Sequence, residues 1–147
     1  MQPHWEALTD KTRRLYQLVS QLDFMSDFFL AGGTGLALQI GHRFSNDLDF
    51  FSDSPAAVGA DQREAIMEII KDDPTLNIIW NKEGTFVATW QNVGLSFFRL
   101  DRHPLIYPPI LIEKIRVAAI EEIGAMKLAA ILSRWLWLFK CLININF

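Results

Sequence analysis

Residues 28–52, FFLAGGTGLALQIGHRFSNDLDFFS, limit what this chain can fold into more than any other stretch. The apolar run at 28–31 stops at Gly32-Gly33 and reads as a short buried strand. Thr34 stands where a helix cap is wanted, GLALQI supplies the helix body, and Gly41 supplies the left-handed position that ends it. A second strand is expected at 47–52. Side chains in a strand alternate between faces, so Asp47 and Asp49 project one way while Leu48 and Phe50 point into the core. Two carboxylates about 7 Å apart therefore share one open face.

Like charges at that spacing repel, and a divalent cation held between them relieves the repulsion. Oxygen donors suit Mg²⁺ or Mn²⁺, which keep water ligands and take others from substrate phosphates. The Gly32-Gly33-Thr34 turn is the complementary part. Without Cβ atoms a phosphate can approach the backbone, and the helix that follows offers free N–H groups and its positive dipole end. The Thr34 hydroxyl adds a donor. A GGT turn alone is more often just a tight turn, and an Asp-x-Asp on a solvent-facing strand usually binds nothing. The two in this order point to a site for a nucleoside triphosphate and its metal, arranged for in-line attack.

The rest of the chain sets the frame. Its 147 residues, 50% hydrophobic and 21% charged, suit one globular domain with a sizeable core. A formal charge of −3 argues against an all-basic surface but leaves room for a local basic patch. The single cysteine, Cys141, excludes an internal disulfide and fits a reducing interior. No signal peptide or membrane-length apolar run is visible, so the expected address is the cytoplasm.

Periodicity predicts a helix over 8–22 and another over 61–71, ended by Asp73-Pro74. Three strands are expected at 76–80, 85–90 and 93–100, with hairpin turns at Lys82-Glu83-Gly84 and Gln91-Asn92. A short strand around 112–117 and a helix over 120–133 follow. The order implies a mixed sheet flanked by helices, in the α/β or α+β class.

The block LAGGTGLALQIGHRFSNDLDFF resembles the signature of the AbiEii/AbiGii toxin family, within the polymerase-β-like nucleotidyltransferase superfamily. The likeness continues through VGLSFFRLDRHPLIYPP and IRVAAIEEIGAMKLAAILSR, over roughly residues 27–134. It implies metal-dependent transfer of a nucleotidyl group from an NTP to an acceptor, often tRNA, by the toxin partner of a cognate antitoxin. It further implies that Gly32, Gly33 and Thr34 cradle phosphate, that Asp47 and Asp49 ligate metal, and that Lys127 serves the triphosphate. From the residues alone, Lys127 on an apolar helix reads as a solvated or snorkelling side chain. Arg43 suits a phosphate, one of the aspartates, or an ion pair that stabilises its loop.

Two departures from the family pattern stand out. A third carboxylate is usual on the neighbouring strand, where this chain has Ser96. Asp101, just beyond, is expected to be a strand-end residue paired with Arg99 or Arg102. After Arg134 the chain runs into WLWLFKCLININF, which has no acid. That tail is expected either to substitute for a core element, with Trp135, Leu138 and Leu142 buried, or to drive self-association. The alternatives to an active transferase are a non-catalytic relative that binds nucleotide or a partner, and an oligomerisation module.

Overall fold

Strands with an apolar side chain at every second position build the molecule. The structure, a computed structural model, describes residues 1–101 and 104–143, with side chains as far as 135 in the last helix. In chain order come α1 (Asp10–Val19), β1 (Phe29–Ala31), α2 (Gly32–Ile40), β2 (Asp47–Ser52) and α3 (Ala60–Ile70). Then follow β3 (Asn77–Lys82), β4 (Thr85–Trp90), β5 (Val93–Arg99), β6 (Ile110–Ile112), β7 (Ile115–Val117) and α4 (Ile120–Ile143). The strands form one mixed sheet in the order β3-β4-β5-β2-β1-β7-β6, an α/β architecture as the pattern implied.

One face of the sheet is closed. Leu48 and Phe50 of β2, Phe86 and Ala88 of β4, and Leu95 and Phe97 of β5 are buried there against α1 and α3. The rings of Phe50 and Phe97 stack at 5.0 Å, and Phe28 meets Phe97 edge-on at 5.3 Å. On the other face a smaller cluster of Phe29, Ala31, Ala118 and Ile123 seats the first turns of α4 over β1. From β2 to β3 that face opens, and its residues are only partly buried.

Several expected boundaries shift for identifiable reasons. The N-terminal helix is shorter than 8–22, because the Thr9 hydroxyl caps α1 by accepting the Thr12 N–H at 3.2 Å. Thr34 is not a cap: α2 begins at Gly32 after Ala31, which puts Thr34 inside the first turn. Gly41 does end that helix in the left-handed region, at φ 60°. Both turn residues Gln91 and Asn92 have positive φ, as a two-residue hairpin loop requires. The expected single strand at 112–117 is instead a hairpin, β6 and β7 pairing Ile112 with Ile115 around Glu113-Lys114.

The last helix runs on to Ile143 rather than ending at Ser133. Its base is fastened by the buried Glu122, whose Oε2 accepts the N–H groups of Ile106 and Tyr107 at 3.0 and 3.2 Å. Beyond that base Leu128, Ile131, Leu132 and Trp135 are exposed, so Trp135 does not join a core as expected. Leu138 and Leu142 lie outside the described side chains. No helix of the described residues is long and apolar enough to cross a membrane.

Candidate active site

The carboxylates lie where alternation puts them. Asp47 is exposed and Asp49 partly buried on the open face, between buried Leu48 and Phe50 on the other. β2 is central: Asp49 pairs with Ala31 of antiparallel β1 on one side and with Ser96 of parallel β5 on the other. Because β1 leads directly into α2, the glycine turn is carried up against the acids. A Cβ on Gly32 would lie 2.8 Å from Asp49 Oδ2, and Gly32 has φ 64°, a conformation only glycine adopts cheaply. Gly33 lies beneath the Arg43 guanidinium.

The strand is held at the Asp47 end of this pair. The Thr34 hydroxyl is buried, 2.7 Å from Ser45 Oγ, and donates to the Asp47 carbonyl oxygen. It faces the strand, not the cleft, so the expected donation of this hydroxyl to a phosphate is replaced by a tie between α2 and β2. Asn46, just before Asp47, accepts from the Thr12 hydroxyl at 2.9 Å and donates to the Asn92 carbonyl at 2.7 Å. Gly94 N–H donates to Asp47 Oδ1 at 3.1 Å, and a Cβ on Gly94 would come within 2.6 Å of that oxygen. Ser45 and Gly94 were missed from the sequence. For Gly94 the signal was present, since an isolated glycine in a strand often marks close approach of another group.

Burial holds the Asp49 carboxyl above its ordinary value, the nearby Asp47 charge pushes it the same way, and a hydrogen bond from Ser96 partly offsets both. Two carboxylates that repel each other on an open face, with oxygen donors only, fit a hard divalent cation that keeps water and phosphate ligands. Among the described residues no cluster of three or more His, Cys, Asp or Glu side chains is placed to hold a metal. Ser96 sits in register beside Asp49 where a third acid would stand.

Arg43 forms no ion pair with either aspartate; its Nη1 donates to the Phe44 carbonyl at 3.2 Å while the guanidinium overlies Gly33. Lys127 is exposed on α4, one turn beyond Ile123, whose side chain rests against Gly35 of α2. Among the described residues it makes no ion pair with Asp47 or Asp49. Arg99 pairs with Glu83 rather than Asp101, which is exposed past the end of β5, and Arg102 lies outside the described residues.

Gly32→Ala is expected to destabilise the fold by about 1–2 kcal/mol through the left-handed backbone. By pushing on Asp49 it should also weaken metal-dependent nucleotide binding roughly 10-fold or more. Thermal melts and a nucleotide titration with and without Mg²⁺ check the two effects separately. Unchanged binding would show that the turn does not set the carboxylate's position.

The family model for the nucleotidyl transferase AbiEii toxin of a type IV toxin–antitoxin system matches residues 13–136. An uncharacterized protein of Aquifex aeolicus (strain VF5) is 31% identical over 132 residues, 86% of this chain. The chain spans 61% of that relative's length. Of solved structures, a protein from Thermotoga maritima proposed to be a nucleotidyltransferase superposes with a TM-score of 0.59 at 15% identity, covering 90% of this chain and 91% of that one. The antibiotic-resistance factor ANT(2″)-Ia superposes with a TM-score of 0.52 at 15% identity, covering 78% of this chain and 69% of the other. At such identity these two likenesses concern the fold.

Proposed function

This chain belongs to the AbiEii nucleotidyl transferase toxin family, and from that premise we propose that it transfers a nucleotidyl group from an NTP to an RNA acceptor such as tRNA. The observation that carries this reading is the contact of the glycine turn with the carboxylates, Gly32 against Asp49 on an open sheet face. In the reaction an acceptor hydroxyl oxygen attacks the α-phosphorus, the bond to the bridging β-phosphate oxygen breaks, and pyrophosphate leaves. The hydroxyl proton passes to solvent.

Asp47 and Asp49 would hold Mg²⁺ or Mn²⁺. When bound, the cation supplies neutralising charge for the phosphates and orients them. Gly32, Gly33 and the backbone N–H of Thr34 receive phosphate oxygens at the start of α2, where the helix dipole favours anions. Arg43, over Gly33, adds a forked cation to the same end. Lys127 reaches the triphosphate from α4. The Thr34 hydroxyl acts through Asp47 as a positioning group. The family supports a toxin role and a cognate antitoxin, and the reading takes the cytoplasm as their setting.

Ser96 favours a second reading, nucleotide or partner binding without turnover, because the register position beside Asp49 carries no acid. Incubating the chain with α-labelled NTPs, Mg²⁺ and a total tRNA pool separates the two. Label on RNA is expected for the transferase. Metal-dependent NTP binding with no labelled RNA leaves the second reading, and no such binding sinks both.

A further inference from the structure

The open face carries a second set of residues with no part in holding nucleotide. In β3, the edge strand, Ile78 pairs with Ala88 and Trp80 with Val87, with a register shift between them. The odd residue, Ile79, is the bulge. Without it Trp80 would fall on the same face as Ile78, since residues two apart in a strand share a face. With it Trp80 turns to the carboxylate side, in one cross-strand row with Val87, Ser96 and Asp49. Lys82 and Phe98 belong to the next row, with Phe51 beyond.

Trp80 is 53% exposed, and Lys82 holds its Nζ 4.6 Å from the centre of the indole ring. Phe98 is partly buried and stacks on Phe51 at 5.5 Å. Between the edge strand and the acids the floor is small and uncharged: Thr89, Val87, Gly94 and Ser96. Three strand spacings, about 14 Å, separate Trp80 from Asp49. A large exposed aromatic with a cation over it, at the end of a run of uncharged strand residues that reaches the acids, matches how single strands are held. A base would take the lysine's place on the ring face while the lysine swings to a phosphate, with little demand on base identity.

We infer that the open face from Trp80 and Lys82 to Ser96 is the track along which a single-stranded end of the acceptor nucleic acid lies, with Trp80 as its stacking platform. The inference rests on the transferase reading above and assigns that reaction its acceptor side. The glycine turn lies against the acids from β1, on the far side from β3. The triphosphate then occupies the β1 side, and the acceptor approaches the acids from the opposite edge, as in-line attack requires.

The test is fluorescence anisotropy of the full chain with a short fluorescein-labelled single-stranded RNA, beside a Mg²⁺-dependent NTP titration. Trp80→Ala is expected to weaken RNA binding by roughly 5- to 100-fold, while Trp80→Phe keeps most of it. Lys82→Ala should lower the slope of log affinity against log salt by about 0.7. All three variants should bind NTP as the wild type does. Wild-type chain that fails to bind the RNA, or Trp80→Ala with unchanged RNA affinity, overturns the inference. So does an equal loss of RNA and NTP binding, which would give Trp80 to the nucleotide. Failure of the transferase reading is seen elsewhere, in NTP binding that does not need Asp47 or Asp49.

Discussion

Asp49→Asn is expected to abolish Mg²⁺-dependent NTP binding and nucleotidyl transfer while leaving the metal-free protein at least as stable as the wild type near neutral pH. The two effects have one cause. Burial and Asp47 raise the Asp49 carboxyl above its ordinary value, so the folded protein holds that proton more tightly than the unfolded chain does. The resulting stability is fully present below the unfolded value, about 4, and is lost as pH rises through the folded one. The amide never ionises and avoids that loss. Urea unfolding of both proteins from acid to neutral pH should therefore show the difference growing in favour of Asn as pH rises. With Mg²⁺ and NTP at 100 times Kd, the wild type should gain about 2.7 kcal/mol and the variant nothing. A variant that still gains stability from the ligands would remove Asp49 from the metal site.

One residue along, Phe50→Ala should do the reverse. Phe50 is fully buried, stacked on Phe97 at 5.0 Å, in a core that Phe28 also enters. Removing the ring leaves a cavity and should cost about 3–5 kcal/mol, a large part of the ~5–15 kcal/mol that holds a typical domain. The urea midpoint should fall sharply with an unchanged slope. At low temperature, where the variant stays folded, NTP affinity should remain within a few-fold of the wild type. Were the unfolding free energy to fall by under about 1 kcal/mol, the closed face of β2 would not be the centre of the core.

These neighbouring residues also show what a local pattern can carry. Alternation in DLDFFS fixed which side chains face the cleft, because a strand has two faces and the apolar ones must be buried. Gly41 and Gln91-Asn92 were legible as a helix end and a hairpin turn for a similar reason, since the backbone there needs positive φ. Family likeness brought in Lys127 and the acceptor, which spacing alone did not supply. Local pattern failed where a competing contact decided the outcome. Thr34 looked like a cap but spends its hydroxyl on Asp47 and Ser45, and the 112–117 strand folds back on itself at Glu113.

The sequence by itself determined a pair of acids on one strand face, a glycine turn that opens a helix, and the class of fold that joins them. Those are short-range matters of side-chain alternation and backbone freedom. Only the tertiary structure decided that β2 lies between β1 and β5, which brings Gly32 onto Asp49 and sets Ser96 where another acid would stand. It alone showed that a one-residue bulge turns Trp80 toward the acids. Strand order and register arise from pairing between residues far apart in the chain, and no local run of side chains encodes which strand will lie alongside.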